Sequence, residues 1–270
     1  MDFGGGGILD WIAVLALPKI VTLHLFNASS EPRPTLCRVD SLNNLVPAFP
    51  TERDSWCELK STLKSLTLDK FDMRSYDEHD EILMQRIADS CPLLESLKIH
   101  TEGVYSMYRG REAYRNTLAL FSKNIVEGVL REIEVWDCQI KSMHSLSQPT
   151  YAPMKGLSEV RAHGKLEVVE LDVQILMEKS SERSIHLDLE LPNTLKLLKL
   201  RTGIVTPDIS HATILRALNE MACSNFRLRF PCLTTIFIIN DVFSEYQLEE
   251  SEMHELKEAF GTHGVRFEFL

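Results

Sequence analysis

Eight side chains in this sequence have the types and spacing to recognise a partner: Lys98, His100, Glu134, Trp136, Glu170, Lys199, Arg201 and Phe237. Each lies at an alternate position of a short apolar stretch, so neighbours along one stretch project from the same side of a strand. Aromatic side chains and arginine dominate the binding energy of protein interfaces. Trp136 is therefore the leading candidate for contact with a partner, followed by Arg201 and Phe237. The competing role for Trp136 is packing under a neighbouring loop.

Catalytic and metal-binding patterns are incomplete wherever they begin. Gly4–Gly7 lacks the lysine and the following helix of a phosphate cradle, and reads as a loose terminus. His254-Glu255 opens like a zinc-protease helix, but Glu258 stands where the second histidine belongs, leaving a polar helix face. The cluster Asp77, Glu78, Asp80 and Glu81 around His79 lacks the glycine and final glutamate of a calcium loop, and reads as a solvated helix start. His163, His186, His211 and His263 have no nucleophile nearby in sequence. Cys37, Cys57, Cys91, Cys138, Cys223 and Cys232 form no C-x-x-C pair and no zinc spacing with histidine, as expected of reduced, structural thiols. No catalytic residue, metal or cofactor is expected, and the chain reads as a non-enzyme.

The eight candidates are carried by one recurring phrase, apolar-x-x-apolar-x-apolar. It occurs at Ile20–Leu25, Leu63–Leu68, Leu94–Ile99, Leu130–Val135, Leu166–Leu171, Leu195–Leu200 and Leu233–Ile238. Alternation at period two makes a short strand with one apolar face, and recurrence along the chain makes a stacked array. Leu130–Ile140 extends to an eleven-residue leucine-rich repeat segment, with Cys138 ninth and Ile140 eleventh. The eleventh place is also apolar at Met73, Val104, Leu176, Val205 and Phe243.

Helical stretches lie between the phrases. Apolar spacing predicts helices over 77–90, 110–127, 210–222 and 249–260, the last stopped by Gly261, then a closing strand over 265–269. The phrases begin 43, 31, 36, 36, 29 and 38 residues apart. Such units are longer and less even than ordinary leucine-rich repeats of about 20–29 residues. The proline-bearing stretch 27–58 reads as the largest insertion and 143–163 as another.

A closed barrel of eight strand–helix units is the rival architecture, and the alternative to a binding module is an enzyme of unknown reaction on that fold. Barrel strands are covered on both faces. Here the outward positions include Lys98, Glu132, Glu134, Glu170, Asp172, Lys199 and Arg201, which suit a sheet with one face in water. The expected fold is α/β: a leucine-rich-repeat-type solenoid with a curved parallel sheet, helices on the convex side, about seven irregular repeats and a terminal strand. Residues 1–19 would form an N-terminal cap or shortened end, and 20–270 the repeat domain.

Cys91-Pro92-Leu93-Leu94-Glu95-Ser96-Leu97-Lys98-Ile99 resembles the repeat phrase of F-box proteins with leucine-rich repeats. Leu191–Leu200 and Leu17–Leu25 are similar to variants common in fungal members. The resemblance implies a substrate-recognition region of an SCF-type ubiquitin ligase, whose partner is a protein substrate or scaffold. A family F-box would dock on a Skp-type adaptor. Residues 1–19 hold no such module, so an adaptor is expected only if an F-box lies outside this chain. A truncated product or a repeat-only scaffold are the other expectations.

The net charge of −10 over 270 residues disfavours binding to a phosphate backbone, so no nucleic acid is expected. Residues 8–17 are interrupted by Asp10 and have no basic flank, which fits neither a signal peptide nor a membrane span. A cytoplasmic or nuclear location is expected, and the Asn27 sequon is not read as glycosylated.

Overall fold

The computed structural model describes residues 2–4, 15, 17, 19–26, 37–39, 45–47, 60–72, 85, 87–102, 124, 129–137, 165–173, 187, 191–202, 211–223, 225–239 and 249–270. Its main element is a parallel sheet of nine strands. In spatial order these are β1 (Asp2–Gly4), β2 (Thr22–Phe26), β5 (Ser65–Asp72), β6 (Ser96–Glu102), β7 (Glu132–Asp137), β8 (Val168–Asp172), β9 (Leu197–Arg201), β10 (Thr235–Ile239) and β11 (Arg266–Phe269). Spatial order thus follows chain order, and β1 and β11 end the sheet. Among the described residues no pairing closes it into a barrel.

Each phrase buries its three apolar positions. Leu63, Leu66 and Leu68 are at most 1% exposed, and so are Leu195, Leu198 and Leu200. The strands are in register, so these residues form continuous rows: Leu66, Leu97, Ile133, Val169, Leu198, Ile236 and Phe267 lie side by side. Burial of each such side chain stabilises the fold by about 1.5–3 kcal/mol. Ile214, Leu218, Leu256 and Phe260 from the helices join the same core, which places those helices on the apolar side of the sheet.

The units are joined by a repeated backbone contact. The carbonyl at the second place of one phrase accepts from two successive N–H groups of the next. Val21 accepts from Lys64 and Ser65, Lys64 from Glu95 and Ser96, and Glu95 from Arg131 and Glu132. Arg131 accepts from Glu167 and Val168, Glu167 from Lys196 and Leu197, and Lys196 from Thr234 and Thr235. Thr62 and Thr194 add hydroxyl donors to the carbonyls of Ile20 and Leu166, each at 2.7 Å.

The C-terminal end is built from α1 (His211–Ala222), α2 (Phe226–Arg229) and α3 (Glu250–Thr262). The Glu249 N–H donates to the Glu252 carboxylate, half of a capping box that starts α3. The spacing predicts a stop at Gly261, but the helix runs past it. The left-handed residue is Gly264, at φ 66°. Gly264 N–H donates to Gly261 and Val265 N–H to Phe260, the paired bonds of a Schellman cap. Phe260 then stacks on Phe267 of β11, and His263 stacks on Phe226 while meeting the Ala222 carbonyl.

One further expectation is corrected: Gly4, expected in a loose terminus, ends an edge strand, Asp2–Gly4, which pairs with His24–Phe26. The insertion at 27–58 contains an antiparallel pair, β3 (Cys37–Val39) with β4 (Leu45–Pro47). The short helix α2 carries no helical period long enough to read. Residues 85 and 87–90 of the first expected helix are helical, with Ile87 and Ala88 buried as expected. Most of the 110–127 helix, the 143–163 insertion, the acidic cluster at 77–81, His163, His186, Cys57, Cys138 and the eleventh places from Met73 to Phe243 lie outside the described residues.

Candidate partner-binding face

Alternation along each strand turns the residues between the leucines to the opposite face. In-register pairing then lines them up across the sheet. One row reads His24, Thr67, Lys98, Glu134, Glu170, Lys199, Phe237 and Glu268. Beside it, Asp69, His100 and Trp136 follow one another on β5, β6 and β7, with His100 directly opposite Trp136. Strands about 4.8 Å apart bring side chains of this length into mutual reach.

Two carboxylates organise the face. Glu134 accepts from His100 Nε2 at 2.8 Å, Trp136 Nε1 at 2.9 Å and Lys98 Nζ at 2.9 Å. Burial opposes ionisation of Glu134, but those bonds from His100, Trp136 and Lys98 outweigh it and hold the carboxyl well below the usual carboxylate range. Burial also works against the charge on Lys98, and its bonds to Glu134 and Glu132 more than compensate, holding its ammonium above the usual lysine range. Glu170 is 3% exposed and accepts from Lys199 Nζ at 2.9 Å and from Arg201 Nε at 2.7 Å.

Trp136 lies at the centre. The His100 ring stacks on it at 4.2 Å with an interplanar angle of 27°, and the Arg201 guanidinium sits 4.1 Å from its ring centre. His100 reaches the indole from β6 and Arg201 from β9, on opposite sides of β7, so the indole is held between them. The other nitrogen of His100 meets Asp69 Oδ1 at 3.1 Å, and His24 Nε2 lies 3.7 Å from Asp69 Oδ2. Asp69 sits where the register of β5 slips by one residue against β6, between Leu68 and Phe71. A bulge of this kind re-aims a side chain.

The structure therefore brings together seven of the eight residues singled out in sequence: Lys98, His100, Glu134, Trp136, Glu170, Lys199 and Arg201. Phe237 stands one strand beyond Lys199, half-buried. The expectation of charges standing in water is corrected, because in-register neighbours of opposite sign fold over one another and Glu170 is buried beneath two cations. His100 and Arg201 of the same sheet pack on Trp136, and the loops that follow the neighbouring strands lie outside the described residues. The side chain of Asp172 lies outside the described residues, while His254 pairs with Glu258 at 3.4 Å on an exposed helix face, as its spacing suggests.

A second charged row escaped the sequence reading. The residue after the first apolar place of successive phrases is Lys64, Glu95, Arg131, Glu167 and Lys196. Lys64 bonds Glu95 at 2.7 Å, while Glu167 meets Arg131 at 3.9 Å and Lys196 at 3.0 Å. The hydrogen bond and charge of Lys64 hold the Glu95 carboxyl below its ordinary value. Aligning the phrases and reading down this place shows the alternating sign.

Among the described residues no group of three or more His, Cys, Asp and Glu side chains is placed to hold a metal ion, and no helix is long and apolar enough to cross a membrane. Cys91 is buried, which pushes its thiol up to about 12. No family model matches the chain, and neither curated proteins nor solved structures give a match.

Proposed function

We propose that this chain is a protein–protein interaction module that docks a protein partner on the polar face of its sheet. The observation that carries the proposal is the ordered surface around Trp136, where Glu134 and Glu170 hold Lys98, His100, Lys199 and Arg201 in fixed positions. Pre-ordering lowers the entropy lost on association. The regular succession of parallel strands supports reading the array as a leucine-rich-repeat-type solenoid. The phrase at Cys91–Ile99 supports kinship with the repeat region of F-box proteins, and hence a substrate-recognition role in ubiquitination. A Skp-type adaptor would join only through an F-box outside this chain, and the proposed setting is cytoplasmic or nuclear.

The test compares photo-crosslinkers placed at Lys199 on the polar face and at Arg216 on exposed α1, in purified protein added to extract. A protein crosslinked from Lys199 and not from Arg216, and then bound by the purified chain, supports the proposal. Equal labelling from both positions removes the polar face as the docking surface.

A further inference from the structure

We infer that His100 is a protonation-dependent latch that sets the geometry of the Trp136 surface. Its two ring nitrogens face two different carboxylates, Asp69 at 3.1 Å on β5 and Glu134 at 2.8 Å on β7. A neutral imidazole has one N–H and can donate to only one of them; the imidazolium has two and donates to both. Loss of a proton from the ring therefore breaks one link and turns a lone pair towards a carboxylate. Histidine is the side chain that exchanges this proton between roughly pH 5 and 8.

The surrounding charges give the switch a defined output. Asp69 also faces His24. Glu134 also holds Lys98 and the Trp136 N–H, so it remains bonded whichever link is lost. Lys98 is shared with Glu132 at 3.0 Å. Across Trp136 stands Arg201, itself fixed by Glu170, which also holds Lys199. Among the described residues the titratable ring stacked on the half-buried indole is His100, so a change in that ring's charge or position is felt directly by Trp136. The closed state, with both carboxylates bridged, belongs to the acidic side.

Any effect on partner affinity rests on the polar face being the docking surface, but the latch is read with no partner present. In a chain carrying Trp11→Phe and Trp56→Phe, Trp136 is the remaining tryptophan, and a stacked imidazolium quenches indole emission. Emission followed between roughly pH 5 and 8 should rise with pH, and the rise should be lost in His100→Gln. If that variant does not fold, Asp69→Asn serves instead. Removing one bridged carboxylate should move the rise to lower pH, since the charged ring loses a counter-ion. Flat emission in the parent, or the same transition in either folded variant, overturns the latch. Both results are independent of the crosslinking outcome.

Discussion

Glu134 and Glu170 occupy facing positions on β7 and β8, yet their carboxylates take their donors from opposite sides. Lys98 and His100 reach Glu134 from β6, whereas Lys199 and Arg201 reach Glu170 from β9. Adjacent like charges are tolerated because each has its own set of donors. Trp136 lies between the two sets, donating to Glu134 and carrying the arginine that holds Glu170.

Removing Glu170 leaves Lys199 and Arg201 without the carboxylate between them. Glu170→Ala should cost about 1.5–3 kcal/mol, the range for hydrogen bonds to charged groups, since Lys199 and Arg201 keep access to water. Glu268→Ala, which loses only a pair with the exposed Arg266, should cost no more than about 1 kcal/mol. Urea unfolding of both variants measures the contrast, and equal losses would contradict the burial assigned to Glu170.

Trp136 has a structural role as well as a proposed binding role. Trp136→Ala should lower stability by about 2 kcal/mol, less than for a fully buried tryptophan. Trp136→Phe keeps the stack but loses the N–H donated to Glu134, for about 1 kcal/mol. Partner capture must therefore be compared at temperatures where each variant is folded, as judged by circular dichroism.

Leu198 is fully buried, whereas Leu228 is 84% exposed. Leu198→Asp places a charge in the shared core and should cost more than about 4 kcal/mol, enough to unfold or split the array. Leu228→Asp should leave the melting temperature unchanged. Similar melting of both variants would show that the strand register is wrong.

Stability should fall at both extremes of pH. The folded-state pKa of Glu134 lies below its unfolded value, so its stabilisation is present above about pH 4.3 and is lost as pH falls towards the folded value. Cys91 has the opposite sign. Its folded pKa is raised, so its stabilisation is present below about pH 8.5 and is lost as pH rises towards about 12. The urea midpoint as a function of pH checks both limbs; Glu134→Gln should flatten the acid limb and Cys91→Ala the alkaline one.

Glu167 stands between Arg131 and Lys196, all at least 30% exposed. Glu167→Lys should cost about 1 kcal/mol or less, and the loss should shrink in high salt. A salt-independent loss would point to packing instead of charge.

The apolar phrase made the strands, their core face and their register legible, because period-two burial leaves one solution for residues such as Leu66 and Leu68. The same phrase named the members of the polar face. Their state was not legible. That Glu170 is buried depends on Lys199 and Arg201 lying on the next strand, a relation between residues 29 and 31 positions apart in sequence. The slip at Asp69 has no marker such as glycine, and it directs that carboxylate at His100. The Gly264 cap was misassigned to Gly261 because both glycines follow the last apolar residue, Phe260, and only φ separates their roles.

The backbone joint between units has a consequence for how such a chain can change. Each joint is closed within a few residues of the phrase, by one carbonyl and two successive N–H groups, as between Lys64 and Glu95-Ser96. The same joint forms whether phrases begin 29 residues apart or 43. Intervals can therefore differ in length without altering the joints, so long as each still supplies the core with residues such as Ile87, Ile214 and Leu218. The phrase sets the coupling of the chain, and the interval is free to vary only where it leaves that core.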